Sequence, residues 1–184
     1  MKNFCATMDR TMDVALLSQS SLKIKGKKAS LIVDPRVKMP KNNADMILAL
    51  EGEIDPERVE ESRLLINDDG EYEVGSVKVT GQSKGDLGIF YNLNIDNTQI
   101  ILAKVSTLEK LTDTANEAEV AILNVDSGLN ESIIASLEAK VVVLYGEKSQ
   151  EGMKTLGKND TPPTKKYAIA KEKLPDETQI VWLA

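Results

Sequence analysis

The sequence predicts an α/β fold of four layers, an αββα sandwich of two packed sheets with helices outside. Three observations carry that expectation. Residues 14–105 are mostly short apolar or alternating segments separated by turn signals, the mark of strands and hairpins. Beyond residue 105, apolar strands alternate with amphipathic helical stretches. Two of those strands, residues 120–125 and 140–145, are apolar almost throughout. Each therefore needs cover on both faces, which a second sheet and a helix layer supply. No internal repeat or linker-like composition divides the 184 residues, a length that suits one domain with a sizeable core. A polar, methionine-rich arm is expected over residues 1–12 and a single domain over residues 13–184.

Taken in order, residues 14–17, 22–25 and 29–33 read as strands, with Lys25-Gly26-Lys27 turning between the last two. Asp34-Pro35 ends the third, because proline has no backbone donor and disfavours helix before it. Residues 38–43 read as loop, 45–50 as a buried strand and 56–62 as a short helical turn. Residues 63–66 form another strand, closed by the turn signal Asn67-Asp68-Asp69-Gly70. Residues 71–74 and 77–80 alternate around Gly75-Ser76, which predicts a two-residue hairpin. Residues 82–88 are loop, and 89–95 pairs with 99–105 around Asp96-Asn97. A helix is predicted over 107–117, with Leu108, Leu111 and Ala115 on one face. Another covers 130–139, capped by Asn130, with Ile133, Ile134 and Leu137 facing the core. Residues 148–156 form a weaker helix, 159–164 a proline-bearing loop, and 167–170 and 179–183 the last strands.

Composition removes several functions. With 41% hydrophobic and 28% charged residues the chain is an ordinary globular mix. A net charge of −6 argues against a nucleic-acid partner, whose backbone is held by clustered Lys and Arg. Lys23, Lys25, Lys27 and Lys28 do cluster, and read as the solvated flanks of a turn. Cys5 is the only cysteine, so no intrachain disulfide forms, and a cytoplasmic setting is the simplest expectation. No apolar run approaches the roughly 20 residues of a membrane span, and the first residues carry no signal-peptide core. No membrane partner is expected. The chain has no histidine, so Cys5 and the serines lack the base of the usual triads. Ser106 lies close in sequence to Lys104 and Lys110, a Ser–Lys pairing that chance also produces. No P-loop, dinucleotide glycine motif, CxxC pair or EF-hand loop is present. Asn130-Glu131-Ser132 matches a glycosylation triplet but reads as a helix cap.

The chain is organised around residues 44–58, ADMILALEGEIDPER. An apolar strand breaks at Glu51-Gly52 and runs into alternating acids, Glu51, Glu53 and Asp55, before Pro56. This shape resembles the metallo-β-lactamase superfamily, where such a strand runs into His-x-His-x-Asp-His. Aligned without a gap, the motif histidines fall on Glu51, Glu53 and Pro56, and only Asp55 keeps its identity. The resemblance is closest to the branch that includes ascorbate-phosphate-lactonase-like hydrolases. The branch's opening Gly-His-Ser/Ala-Ser corresponds to Ser18-Gln19-Ser20-Ser21, and its following strand to residues 27–35, ending Asp34-Pro35. The segment Gly70-Glu71-Tyr72-Glu73-Val74 and the strand Val77-Lys78-Val79 match in type and order. The metal-bridging aspartate falls near Ser106, and flanking histidines near Ala103 and Glu109. The last histidine falls on Gly146, and the tail of the branch matches residues 172–183.

The resemblance implies a Zn²⁺ or Mn²⁺ hydrolase scaffold in which every histidine position has changed. Its vestigial positions here are Gln19, Glu51, Glu53, Asp55, Ser106 and Gly146. Imidazole is the main ligand for such ions. A site of oxygens alone prefers Mg²⁺, Ca²⁺ or Mn²⁺ and needs about six ligands. The expected protein is therefore metal-free and catalytically inactive, with no cofactor. It would act as a binding, scaffolding or subunit-like protein with an unidentified protein partner or by homo-oligomeric self-association. The alternatives are a carboxylate-based divalent-metal hydrolase at Glu51, Glu53 and Asp55, acting on a lactone, phosphoester or nucleic acid, and a ligand-binding module using the old cleft. Gln19 is expected to hydrogen-bond the backbone or an acid of the 51–55 loop, and the loop acids to splay into solvent.

Overall fold

The computed structural model describes residues 11–50, 52–83, 85–110 and 118–184. The first half lays down β1 (Thr11–Ser18), β2 (Ser21–Lys25), β3 (Ser30–Val33), β4 (Asn42–Asn43) and β5 (Met46–Leu48). It continues with β6 (Val59–Glu60), β7 (Leu64–Ile66), β8 (Gly70–Val74), β9 (Val77–Ser83), β10 (Ile89–Ile95) and β11 (Thr98–Lys104). The second half alternates: α1 (Val105–Leu108), β12 (Val120–Asn124), α2 (Glu131–Leu137), β13 (Val141–Tyr145), α3 (Ser149–Thr155), β14 (Lys166–Ala170) and β15 (Gln179–Trp182).

These strands make two large sheets. One has the order β14-β1-β2-β3-β5-β7 and the other β15-β13-β12-β11-β10-β9-β8. Successive side chains point to opposite faces of each strand, as a sandwich requires. In β12, Val120 and Ile122 face the space between the sheets, while Ala121 and Leu123 pack with Ile133, Ile134 and Leu137 of α2. In β13, Val143 and Tyr145 face inward, and Val142 and Leu144 outward beside Met153 of α3. Both faces being covered explains why these strands are apolar throughout. The outer face of the first sheet is covered differently. There Ile32 and Ile47 pack against Met39, Ala44 and Val59, which belong to an irregular segment carrying the small parallel pair β4–β6. A fourth layer is thus present, but on this side the described residues build it from loop and ribbon.

Most predicted elements stand where the sequence put them. The turn Gly75-Ser76 has positive φ at both residues, 55° and 68°, and Asp96-Asn97 likewise, 52° and 65°, as two-residue hairpins with the right twist require. Asn130 caps α2, its side-chain oxygen accepting from Ser132 N. Three differences are informative. β1 starts at Thr11 rather than near residue 13, because Thr11 through Ala15 pair with β14 and Met12 is core. The predicted helical turn over 56–62 is a single 3-10 turn, Pro56–Arg58, followed by β6, and the predicted loop before residue 44 contains β4. Leu108 is buried in α1 as expected, but the rest of the predicted 107–117 helix, with Leu111 and Ala115, lies largely outside the described residues. No helix among those described is long and apolar enough to cross a membrane.

The topology also fixes where chemistry can sit. β3, β5 and β7 run parallel, as do β11, β12, β13 and β15. Ligands in sheets of this kind sit beyond the carboxyl ends of the strands. Here those ends carry Asp34, Leu50, Lys104, Asn124 and Tyr145.

Candidate functional site at the strand ends

Asp34 closes β3 and is 1% exposed. It adopts left-handed backbone, φ 45°, which Asp tolerates better than most residues. Its N–H donates to Leu48 O at 2.9 Å. Its Oδ1 accepts from Leu50 N at 2.7 Å. Its carbonyl accepts from Ser21 Oγ at 2.7 Å, and Ser18 Oγ donates to Ser21 Oγ at 2.8 Å. One buried residue, through its carbonyl and its carboxylate, thereby ties the β1–β2 turn to the point where the strand of the 44–58 stretch breaks. Tyr91 reaches across from β10, its hydroxyl 2.8 Å from Ala49 O and 3.0 Å from Ile66 O. Burial raises its phenol far above the ordinary range, so it stays neutral.

From the second sheet come Lys104, Ser106, Asn124, Asp126 and Tyr145. Asp126 accepts from Ser106 N at 3.1 Å through Oδ1 and from Ser106 Oγ at 2.5 Å through Oδ2. Lys104 Nζ lies 3.0 Å from the same Oδ2. Burial pushes the Asp126 carboxyl upward, but the Ser106 hydroxyl, the Ser106 N–H and the Lys104 ammonium outweigh it and hold it below the usual carboxylate range. Tyr145 is fully buried, its hydroxyl beside the Asn124 carboxamide, and it completes no regular hydrogen bond to a described residue. Burial drives this phenol well above its ordinary range, and the nearby Asp34 carboxylate adds to that.

The vestigial positions separate into groups. Gln19 is exposed in the β1–β2 turn and makes no hydrogen bond to a described residue. The expected bond to the loop acids is therefore not made within the described residues, because the turn points the amide outward. Gln19 and Gly146 do share one cavity of about 490 Å³, lined also by Leu16, Ser149, Lys165 and Trp182. Trp182 Nε1 donates to Ser149 Oγ at 3.1 Å, which fixes the indole against this wall. Glu51 lies outside the described residues. Glu53 is exposed, and its carbonyl accepts from the Arg36 guanidinium. Asp55 is spent on its own turn: it accepts from Glu57 N at 3.2 Å and pairs with Arg58 Nε at 3.4 Å. Of the two described loop acids, Glu53 is exposed as expected, whereas Asp55 is half-buried against Arg58 rather than splayed into solvent.

Gly146 has φ 101°, and a Cβ there would lie 2.3 Å from Asn124 Oδ1. The space a ligating side chain would need is held by Asn124. Ala103 packs on the helix-covered face, away from the core between the sheets. Glu109 and Lys110 are exposed. The Ser–Lys juxtaposition is real for Lys104, but it runs through Asp126. A carboxylate held ionised is a weak proton acceptor, and a paired ammonium is none, so Ser106 is not an activated nucleophile.

The sequence reading singled out Ser106 and Lys104 but not Arg36, Asp34 or Tyr145 as a set. The available signal was the polar residue ending each apolar strand: Asp34 after β3, Lys104 in β11 and Asn124 in β12.

Comparison with solved structures gives the class. The fold matches a protein from Thermotoga maritima designated a Zn-dependent hydrolase of the metallo-beta-lactamase superfamily, with TM-score 0.70 and 16% identity over 94% of this chain and 98% of that one. It matches a metal-dependent hydrolase designation from Parabacteroides distasonis at TM-score 0.59 and 13% identity, over 94% of each chain. It also matches the metallo-beta-lactamase fold protein YhfI from Bacillus subtilis at TM-score 0.56 and 11% identity, over 94% and 96%. No protein-family model and no curated protein sequence matches the chain. The chain therefore has the metallo-β-lactamase fold. Proteins of that fold are designated metal-dependent hydrolases, and the donors among the described residues do not fit a metal ion. Among the described residues no three of His, Cys, Asp and Glu converge on a point. Ser106 is tied to Asp126, Gly146 offers no side chain, and Asp55 faces its own turn.

Proposed function

We propose that this chain is a catalytically inactive protein of metallo-β-lactamase fold that works by binding, as a scaffold or subunit-like component. The observation that carries this reading is the chemistry of the former ligand positions. Gly146 is closed by Asn124 and Ser106 is held by Asp126, so these two positions are taken up by neighbouring side chains rather than open to an ion and a substrate. The cavity shared by Gln19, Gly146 and Trp182 supports a binding role, because its mixed polar and apolar lining offers both contact area and hydrogen-bonding groups. A protein partner or a second copy of the chain remains the alternative occupant.

Turnover separates this reading from a carboxylate-based hydrolase. The purified chain, given Zn²⁺ or Mn²⁺, is expected to hydrolyse lactone, phosphodiester and nucleotide substrates no faster than buffer. Turnover that vanishes in the double variant Glu51→Gln, Glu53→Gln would instead establish the carboxylate enzyme. A parallel thermal-shift screen with sugar phosphates and nucleotides tests whether the cavity takes small ligands.

A further inference from the structure

The carboxyl ends of the parallel strands gather two carboxylates, Asp34 and Asp126, around the Asn124 amide and the Tyr145 phenol. Asp34 is buried outright, and the Asp126 side chain is 23% exposed. Carboxylates taken out of water need positive charge close by. Lys104, with a side chain only 13% exposed, puts its ammonium 3.0 Å from Asp126 Oδ2, and the Arg36 guanidinium brings a second positive charge to the same end. Each of these two carboxylates thus has a cation at the same end of the sheet.

The hydrogen bonds also show that Asp126 has little left to give. Its Oδ2 takes both Ser106 Oγ and Lys104 Nζ, and its Oδ1 takes Ser106 N. A divalent ion on this carboxylate would have to displace the ammonium or the serine and would sit within a few ångströms of the displaced charge, where like charges repel strongly at low dielectric. Lys104 is also well anchored. It is the last residue of β11 and the N-cap position of α1, so its stem is fixed by regular structure on both sides.

We propose that Lys104 is the resident cation of this centre. Its ammonium compensates Asp126 permanently, so the fold is complete without a metal ion, and added divalent ions find no place there. The inference rests on the reading of the site as metal-free. Its readout is stability rather than turnover, so either can fail without the other.

The test is chemical rescue in the full chain. Lys104→Ala should lower the melting temperature by roughly 5 °C or more, as expected for stranding a partly buried carboxylate. Tens of millimolar methylammonium chloride should recover part of that loss in Lys104→Ala, leave the wild type unmoved, and act where sodium chloride at equal ionic strength does not. A Lys104→Ala protein melting within about 1 °C of wild type, or responding equally to both salts, overturns the proposal. If Lys104→Ala does not fold, Lys104→Gln alone is compared with Lys104→Gln, Asp126→Asn together. The proposal requires the double variant to melt above the single one, because a neutral pair replaces a stranded charge. A double variant that melts no higher overturns it.

Discussion

Gly146→His, which installs the residue type that the sequence resemblance aligns with this position, is expected to destabilise the protein severely rather than create a metal site. Two costs add. The backbone at Gly146 has φ 101°, a conformation that residues with a Cβ rarely adopt, worth about 1–3 kcal/mol of strain. The new Cβ would also lie 2.3 Å from Asn124 Oδ1 and 3.2 Å from Val125 N. The first contact is with a side chain that could move, but Asn124 is 7% exposed in a filled interior, and overpacking of that kind costs about 1–3 kcal/mol more. The sum, about 2–6 kcal/mol, corresponds to a fall of roughly 5–20 °C in melting temperature for a domain of this size. Gly146→Ala should suffer most of the same loss. Adding Asn124→Ala should recover the steric part and leave the backbone part, so the double variant should melt above Gly146→Ala. Thermal denaturation of Gly146→Ala, Asn124→Ala and the double variant reads this directly. Additive losses would mean that Asn124 does not hold the space.

Asp34→Ala should cost nearly as much for a different reason. The carboxylate accepts a buried backbone N–H at 2.7 Å. Removing a charged acceptor from a buried donor costs about 1.5–3 kcal/mol. Alanine must in addition take up left-handed backbone at φ 45°, worth about 1–2 kcal/mol. A loss of about 2.5–5 kcal/mol follows, while the Ser21 hydroxyl keeps its acceptor, the main-chain carbonyl of residue 34. Asp34→Asn keeps an oxygen acceptor and tolerates the backbone, so it should lose less than half as much. Chemical denaturation midpoints of the two variants test the ordering. Equal losses would show that the charge, not the acceptor geometry, is what the fold uses.

Much of the fold was legible because its signals are local. Gly75-Ser76 and Asp96-Asn97 announce hairpins by the backbone they permit, and Asn130 announces a helix by the donor it satisfies. The apolar runs at β12 and β13 reveal that both faces are covered, since no polar residue interrupts either period. The β4–β6 pair was not legible. Two residues per strand carry no periodicity, and the pairing is decided by the packing of Met39, Ala44 and Val59 on the first sheet. The absence of histidine was plain in the sequence, but the contacts made at the strand ends were not. Asp126 lies 20 residues from Ser106 in sequence, and Asn124 meets Gly146 only because β12 and β13 pair in register. Such contacts exist only after the sheet forms. Among the described residues, Gln19 and Gly146 line one cavity, while Ser106 is tied to Asp126 and Asp55 to its own turn.

Metal titration of the intact chain is the most direct test of a strand-end centre that is complete without an ion. The protein would be purified from zinc- and manganese-supplemented cells, dialysed against a mild chelator, analysed for bound metal, and titrated calorimetrically with Zn²⁺ and Mn²⁺. The account predicts well under one equivalent of retained metal, no saturable heat, and an unchanged melting temperature, because a ligand specific for the native state would raise it. One tightly held equivalent that survives chelation and raises the melting temperature by several degrees, and that disappears in Glu51→Gln, Glu53→Gln, would contradict it.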